Sequence, residues 1–351
     1  MGVTPIRVLL VDDSPLALAL LKRMLATSPD VQVVGTACNG QEALGMVPTL
    51  DPQVICTDLH MPVMDGLAFT REVMTRFPRP ILVISSTVEP GEAAKTYPVL
   101  DAGALDLMPK PSLETGADFD RVARDLVMRV RILAGVRVIR RAPAHAEPPE
   151  KVEKPEAPSS IRAVSAKMVV IGASTGGPMA LRTILGQLSG DFRLPVICVQ
   201  HISEGFLAGL VEWLGSQCRV KTEVARSGDA PRVGTVYFPP ERMHLEMDAR
   251  GRFRSSERPS VAGHRPSVTV TMNSVAEYYG RFAVGVLLTG MGSDGAEGMA
   301  TIARAGGLTL AQNEESCVVF GMPRQAIERG AARHVLSPDE IAAALTQLRA
   351  A

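Results

Sequence analysis

The chain has 351 residues, with 37 Lys and Arg balanced by 37 Asp and Glu, so it offers no overall electrostatic footprint for nucleic acid or an anionic membrane surface, and its length predicts two domains. Five cysteines, Cys38, Cys56, Cys198, Cys218 and Cys317, are odd in number, widely spaced and mostly set in apolar runs, which fits reduced thiols in the cytoplasm. No apolar stretch resembles a signal-peptide core or approaches the roughly 20 residues of a bilayer span, so direct membrane insertion is not expected.

The first apolar run, Ile6 to Val11, ends in Asp12-Asp13-Ser14-Pro15, and Leu16 to Leu25 then carries helical periodicity. The alternation recurs: strands at Val31–Thr36, Val54–Thr57, Ile81–Ser85 and Leu107–Met108, with helices at Gln41–Val47 and Leu67–Arg76. Alternating units of this length predict a parallel sheet covered by helices on both faces. A closing helix over Phe119 to Ile139 runs out of the first domain. From about Arg141 to Ser160 the composition turns to Pro, Ala, Glu and Lys without apolar period, which predicts a linker. The expected division is 1–125 for the first domain, 126–165 for the linker and 166–351 for the second domain.

In a parallel sheet the functional residues gather at the carboxyl ends of the strands. Those ends supply Asp12, Asp13, Asp58, Ser85 and Lys110. Three converging carboxylates repel one another unless a hard divalent cation lies among them, and Mg²⁺ takes a few carboxylate oxygens plus waters and a phosphoryl oxygen. The Ser85 hydroxyl and Lys110 ammonium would face the remaining phosphoryl oxygens. An Asp-Asp pair alone is ordinarily a turn or helix cap.

Val11-Asp12-Asp13-Ser14, Thr57 to Gly66 and Pro109-Lys110-Pro111 together resemble the receiver domain of two-component response regulators. The resemblance implies a flavodoxin-like fold and makes Asp58 the phosphoacceptor. It also gives Asp13, Asp58 and the His60 backbone carbonyl to Mg²⁺, with Asp12 acting through water. One departure is Leu107, where that family commonly has an aromatic switch residue.

A second α/β series begins at Met168, with buried-strand runs at Met168–Ile171, Val196–Gln200 and Ala283–Leu288. Gly172-Ala173-Ser174-Thr175-Gly176-Gly177-Pro178 follows the first run and opens a helix. The spacing matches a nucleophile elbow, with helix N–H groups facing a developing oxyanion. A dinucleotide-binding turn would want an acidic residue ending the next strand, but His201 stands there; a plain structural turn stays open. His201 could serve Ser174 as base, and Asp294, in the loop Thr289 to Gly295, could orient it. Cys198 lies an odd number of positions before His201, so the two side chains point to opposite faces and Cys198 reads as a buried thiol. The polar Asp248 to Arg258 segment reads as a hairpin with Gly251 at its tip.

The stretch from Val170 to the C-terminus resembles the catalytic domain of the chemotaxis protein-glutamate methylesterases. The motifs are Ile171 to Pro178, Val199-Gln200-His201, Gly263 to Val268, Leu288 to Gly295 and Ala311 to Pro323. The resemblance implies a doubly wound, mostly parallel α/β hydrolytic domain with Ser174 as nucleophile, His201 as general base, Asp294 as orienting acid, and Thr175 and Met291 at the oxyanion site. It also implies hydrolysis of glutamate γ-methyl esters on methyl-accepting chemoreceptors, deamidation of glutamine, a chemotaxis histidine kinase as phosphodonor, and a receiver that occludes the Ser174 site until Asp58 is phosphorylated. The esterase chemistry implies no cofactor. Two departures, Ser203 where the family favours Pro and Thr269 where it favours Asp, bear on substrate preference rather than chemistry; His264 either lines the cleft or is structural. A phosphorylation-controlled docking protein without catalysis is the competing class, and the complete triad argues against it. No basic helix pair follows the linker to suggest a transcriptional output.

Overall fold

Apolar runs that end abruptly in polar residues become strands in both halves of the chain. The computed structural model describes residues 4–86, 96–111, 116–138, 161 and 164–351, the side chains of 116–118 apart. It divides into two compact units, Met1–Glu150 and Lys151–Ala351. Most of the expected linker, Arg141 to Ser160, lies outside the described residues.

The first unit carries β1 (Ile6–Val11), α1 (Pro15–Leu25), β2 (Val31–Ala37), α2 (Gly40–Leu50), β3 (Val54–Thr57), α3 (Gly66–Arg76), β4 (Ile81–Ser85), α4 (Pro98–Ala102), β5 (Asp106–Pro109) and α5 (Gly116–Ala134). Its five strands are parallel in the order β2-β1-β3-β4-β5, the flavodoxin-like order. The strands are buried on both faces, which explains their continuous apolar sequences. Because β1 has β2 on one side and β3 on the other, the chain reverses its winding there. That opens a crevice at the carboxyl ends of β1 and β3.

The first unit extends beyond residue 125. In α5, Ala123, Leu126, Val127, Val130 and Leu133 recur at helical spacing and pack into the same core as Val8, Leu10, Leu21 and Ile84. Arg129 reaches Asp106 at 2.6 Å and Asp125 at 3.1 Å, and Arg131 reaches Asp30 at 2.7 Å. Leu126→Ala is therefore expected to destabilise this unit by about 2–5 kcal/mol, read by urea unfolding of the full chain. A change of under about 0.5 kcal/mol would return residue 126 to a linker.

The second unit carries β6 (Ser165–Ala166), β7 (Met168–Ala173), α6 (Gly177–Gln187), β8 (Val196–Gln200), α7 (Leu207–Gln217), β9 (Lys221–Val224), β10 (Thr235–Phe238), β11 (His244–Met247) and β12 (Phe253–Ser256). Then follow α8 (Val268–Tyr279), β13 (Ala283–Leu287), α9 (Ala296–Arg304), β14 (Leu308–Gln312), α10 (Met322–Glu328), β15 (His334–Leu336), α11 (Pro338–Thr346) and β16 (Arg349–Ala350). Seven strands form a parallel sheet in the order β15-β14-β13-β7-β8-β10-β9. Winding reverses at β7, flanked by β8 and β13, so this sheet too has its crevice at the carboxyl end of its first strand.

β11 and β12 form the expected hairpin, whose turn has Gly251 at φ 72° and Asp248 Oδ1 accepting the Arg250 and Arg252 N–H groups. All five cysteines are free. Among the described residues no helix is long and apolar enough to cross a membrane.

Candidate phosphoacceptor and hydrolase sites

In the first unit, β1 delivers Asp12 and Asp13, β3 delivers Asp58, Ser85 ends β4, and Lys110 follows β5. Asp12, Asp58 and Ser85 are buried, while Asp13 is exposed. Lys110 Nζ lies 2.8 Å from Asp58 Oδ2 and 2.9 Å from Asp12 Oδ2. Burial pushes the Asp58 carboxyl pKa up, against the pull of the Lys110 ammonium and the Leu59 N–H. Burial also opposes the Lys110 charge, but the two carboxylates outweigh it and the ammonium is held more firmly than usual.

Oxygens of Asp12, Asp13 and Asp58 lie within 4.8 Å of one another. Asp12 Oδ2 is within ion-pair distance of Lys110, yet it accepts no hydrogen bond of proper geometry although buried. A buried carboxylate oxygen with no well-formed hydrogen bond, beside two more carboxylates, suits a hard divalent cation.

The His60 side chain is exposed. Gly66 closes tightly over this loop: a Cβ there would stand 2.2 Å from the Asp58 carbonyl oxygen. At the family's aromatic switch position, Leu107 is buried on β5 and its carbonyl accepts from Arg129.

In the second unit, Ser174 follows β7 and His201 follows β8. The two strands pair Ala173 with Gln200, and the His201 N–H donates to Ala173 O at 2.9 Å. Gln200 Nε2 donates to both the Ser174 and His201 carbonyls at 2.8 Å, tying the two strand-end turns together. The Ser174 N–H donates to Thr289 O, and Gly290 packs against Ser174 so closely that a Cβ would meet the serine Cβ at 2.6 Å. Gly176, at φ 78°, precedes α6, and Pro178 occupies its first turn. Thr175 adjoins Ser174 in the chain and Met291 adjoins it through Gly290; the Met291 side chain is exposed.

Asp294, in the loop after β13, is 1% exposed. His201 Nε2 stands 2.9 Å from Asp294 Oδ2 and must carry the proton, since a carboxylate only accepts. Nδ1 is buried and makes no hydrogen bond, so its lone pair is the one left for proton transfer. Asp294 Oδ2 also accepts the Val268 N–H at 2.8 Å. Oδ1 accepts the Ser267 hydroxyl at 2.8 Å and the Thr269 N–H at 3.0 Å. The carboxylate thus sits on the positive N-terminal end of α8. Burial raises its pKa, but the bonds from His201 and Thr269 outweigh burial and hold it well below the usual carboxylate range.

The Thr269 N–H donates to Asp294 Oδ1 at 3.0 Å and its hydroxyl accepts the Gly295 N–H at 2.8 Å, so this departure from the family pattern adjoins Asp294. Ser203 lies in the turn into α7, where its carbonyl accepts the Phe206 N–H.

His264 stacks on His201, with ring centroids 3.7 Å apart and planes 4° from parallel. Burial, then the neighbouring His201, lowers its pKa from 6.5 to about 4, with Asp294 pulling the other way. The unfolded chain takes up this proton near pH 6.5 and the folded chain only near pH 4, so acidification across that window removes stability. An NMR titration of the His264 ring is expected to show it neutral at pH 5; a midpoint above 6 would contradict the stacked, half-buried placement. Cys198 is fully buried and its thiol pKa is raised by burial, as its place opposite His201 requires.

Comparison with known proteins gives two family matches: the CheB methylesterase model over residues 169–345 and the response regulator receiver domain model over residues 8–116. The chain is 46% identical over 347 residues to protein-glutamate methylesterase/protein-glutamine glutaminase 2 of Anaeromyxobacter dehalogenans, spanning 99% of this chain and 98% of that protein. It is 41% identical over 345 residues to number 4 of Geobacter metallireducens, spanning 98% and 99%. Among solved structures, the CheB methylesterase catalytic domain of Thermotoga maritima superposes with a TM-score of 0.51 at 38% identity, covering 52% of this chain and 99% of that domain.

Proposed function

We propose, because this chain belongs to the CheB methylesterase family and carries a response regulator receiver domain, that its two strand-end sites are the phosphorylation switch and the catalytic centre of one enzyme. The protein is a phosphorylation-regulated protein-glutamate methylesterase and protein-glutamine glutaminase of chemotaxis. Its substrates are glutamyl γ-methyl esters and glutamines of methyl-accepting chemoreceptors, its phosphodonor is a chemotaxis histidine kinase, and its compartment is the cytoplasm, with which five free cysteines accord.

One observation carries the catalytic reading. His201 gives its Nε2–H to a buried, ionised carboxylate and leaves Nδ1 without a hydrogen bond, on a residue tied to the Ser174 turn through Ala173 O and Gln200. Nδ1 takes the Ser174 proton as the hydroxyl oxygen attacks the γ-carbonyl carbon. Thr175 and Met291 line the place where negative charge develops on the carbonyl oxygen, next to the N-terminus of α6. The tetrahedral adduct then collapses, and His201 returns its proton to the departing methoxide, or to the departing amide of glutamine. Water, deprotonated at the same Nδ1, hydrolyses the acyl-serine and leaves glutamate.

In the receiver, Asp58 accepts the phosphoryl group, while Ser85 and Lys110 face its oxygens. Asp12, Asp13, Asp58 and the His60 carbonyl would hold Mg²⁺, which when bound neutralises phosphoryl and carboxylate charge.

Asp58→Asn is expected to abolish the rise in methanol release caused by Mg²⁺ and a small-molecule phosphodonor while leaving basal release unchanged. Stimulation that survives this change would remove Asp58 from the switch.

A further inference from the structure

His244, the first residue of β11, is fully buried. Its Nδ1 accepts the Ser267 N–H at 3.2 Å, and its Nε2 lies 3.1 Å from the Pro259 carbonyl oxygen. A carbonyl only accepts, so Nε2 carries the proton and the ring is held in one tautomer. Ser267 caps α8, accepting the Val270 N–H, and its hydroxyl donates to Asp294.

In a capping box, the N–H of the cap residue is satisfied by a Glu or Gln side chain three positions on. Here that position is Val270, which has no acceptor, and His244 from the neighbouring hairpin takes its place. Thr271 and Ser274 also bind the hairpin to the helix, through Leu245 O and the Met247 N–H, but neither satisfies the Ser267 N–H. The histidine ties β11, the Pro259 loop and the cap into one unit, and this cap holds the orienting carboxylate.

We infer that His244 is a positioning residue for the hydrolase: it fixes Ser267, Ser267 fixes Asp294, and Asp294 fixes the ring of His201. The inference rests on the reading of Ser174, His201 and Asp294 as the reacting centre. It differs from a merely structural role in which of its two hydrogen bonds matters, since only the bond to Ser267 leads toward the site.

Two substitutions in the full chain separate the bonds. The amide oxygen of Asn falls near the place of Nδ1, so His244→Asn keeps the acceptor for Ser267 and loses the donor to Pro259. The amide nitrogen of Gln falls near Nε2, so His244→Gln does the reverse. Methanol release from a methylated receptor gives kcat and KM, and thermal unfolding gives Tm.

His244→Gln is expected to lose about 100-fold in kcat with KM nearly unchanged, the loss that a displacement of about 1 Å in a catalytic group brings. His244→Asn is expected to keep kcat within a few-fold despite a similar fall in Tm. Adding Val270→Glu to His244→Gln supplies the missing local acceptor and is expected to restore kcat; it also carries the test where the single Gln variant fails to fold. Equal kcat in folded Asn and Gln variants, or a folded double variant that stays slow, would overturn the inference. Activity surviving in Ser174→Ala would instead overturn the reading beneath it.

Discussion

Ser174→Ala is expected to lower methanol release from a methylated receptor by a factor on the order of a million, with or without phosphodonor, and to leave receptor binding unchanged. The size of the loss follows from the absence of a substitute nucleophile at this crevice. Cys198 is wholly buried, with its thiol held protonated. Cys317, beside Thr289, has its pKa pushed up to about 12 by burial. Neither supplies a thiolate near neutral pH. Alanine leaves the Ser174 backbone bonds to Thr289 and Gly177 in place, so the variant should fold as the parent does. Hydrolysis within tenfold of the parent would eliminate the acyl-serine mechanism.

That the candidate site residues would gather in two clusters was legible in the sequence because of where they lie. Each chemical group stands at the point where a buried, continuously apolar strand runs out, and a parallel sheet gathers such points along one edge. Asp12, Asp58, Ser85 and Lys110 come from four strand ends of one sheet, and Ser174, His201 and Asp294 from three of the other. Local pattern fixes the strand ends, and topology then brings them together.

What the sequence hid are interactions between residues far apart that no local pattern announces. Ser267 and Thr269 hold Asp294 from 27 and 25 positions away, and His244 stands 23 residues before the Ser267 N–H it accepts. Gly263 to Val268 was recognisable as a motif, but nothing in its spacing says that its serine caps a helix onto the orienting carboxylate. The end of the first unit was hidden for a related reason. Arg129 and Arg131 fall in the stretch assigned to the linker, whereas their partners Asp106 and Asp30 belong to the sheet unit itself.

Asp294→Asn is expected to lower kcat by about 10⁴-fold while KM stays near that of the parent. Four donors converge on the carboxylate: the Ser267 hydroxyl, the Val268 and Thr269 N–H groups, and His201 Nε2–H. An amide has one acceptor oxygen, so in either orientation its NH₂ opposes an N–H of the helix N-terminus. With NH₂ toward His201, the ring must turn its acceptor to Asn and carry its proton on Nδ1, where it cannot act as base. With oxygen toward His201 the tautomer survives, but no negative charge remains to stabilise the imidazolium formed as Ser174 attacks. Ser267→Ala removes one of the four donors and keeps the charge. Its kcat should fall by only about 10–100-fold, the worth of one hydrogen bond to an ionised group. An Asp294→Asn enzyme no slower than Ser267→Ala would show that the buried carboxylate acts as a packing element, and the base at His201 would then need another source of orientation.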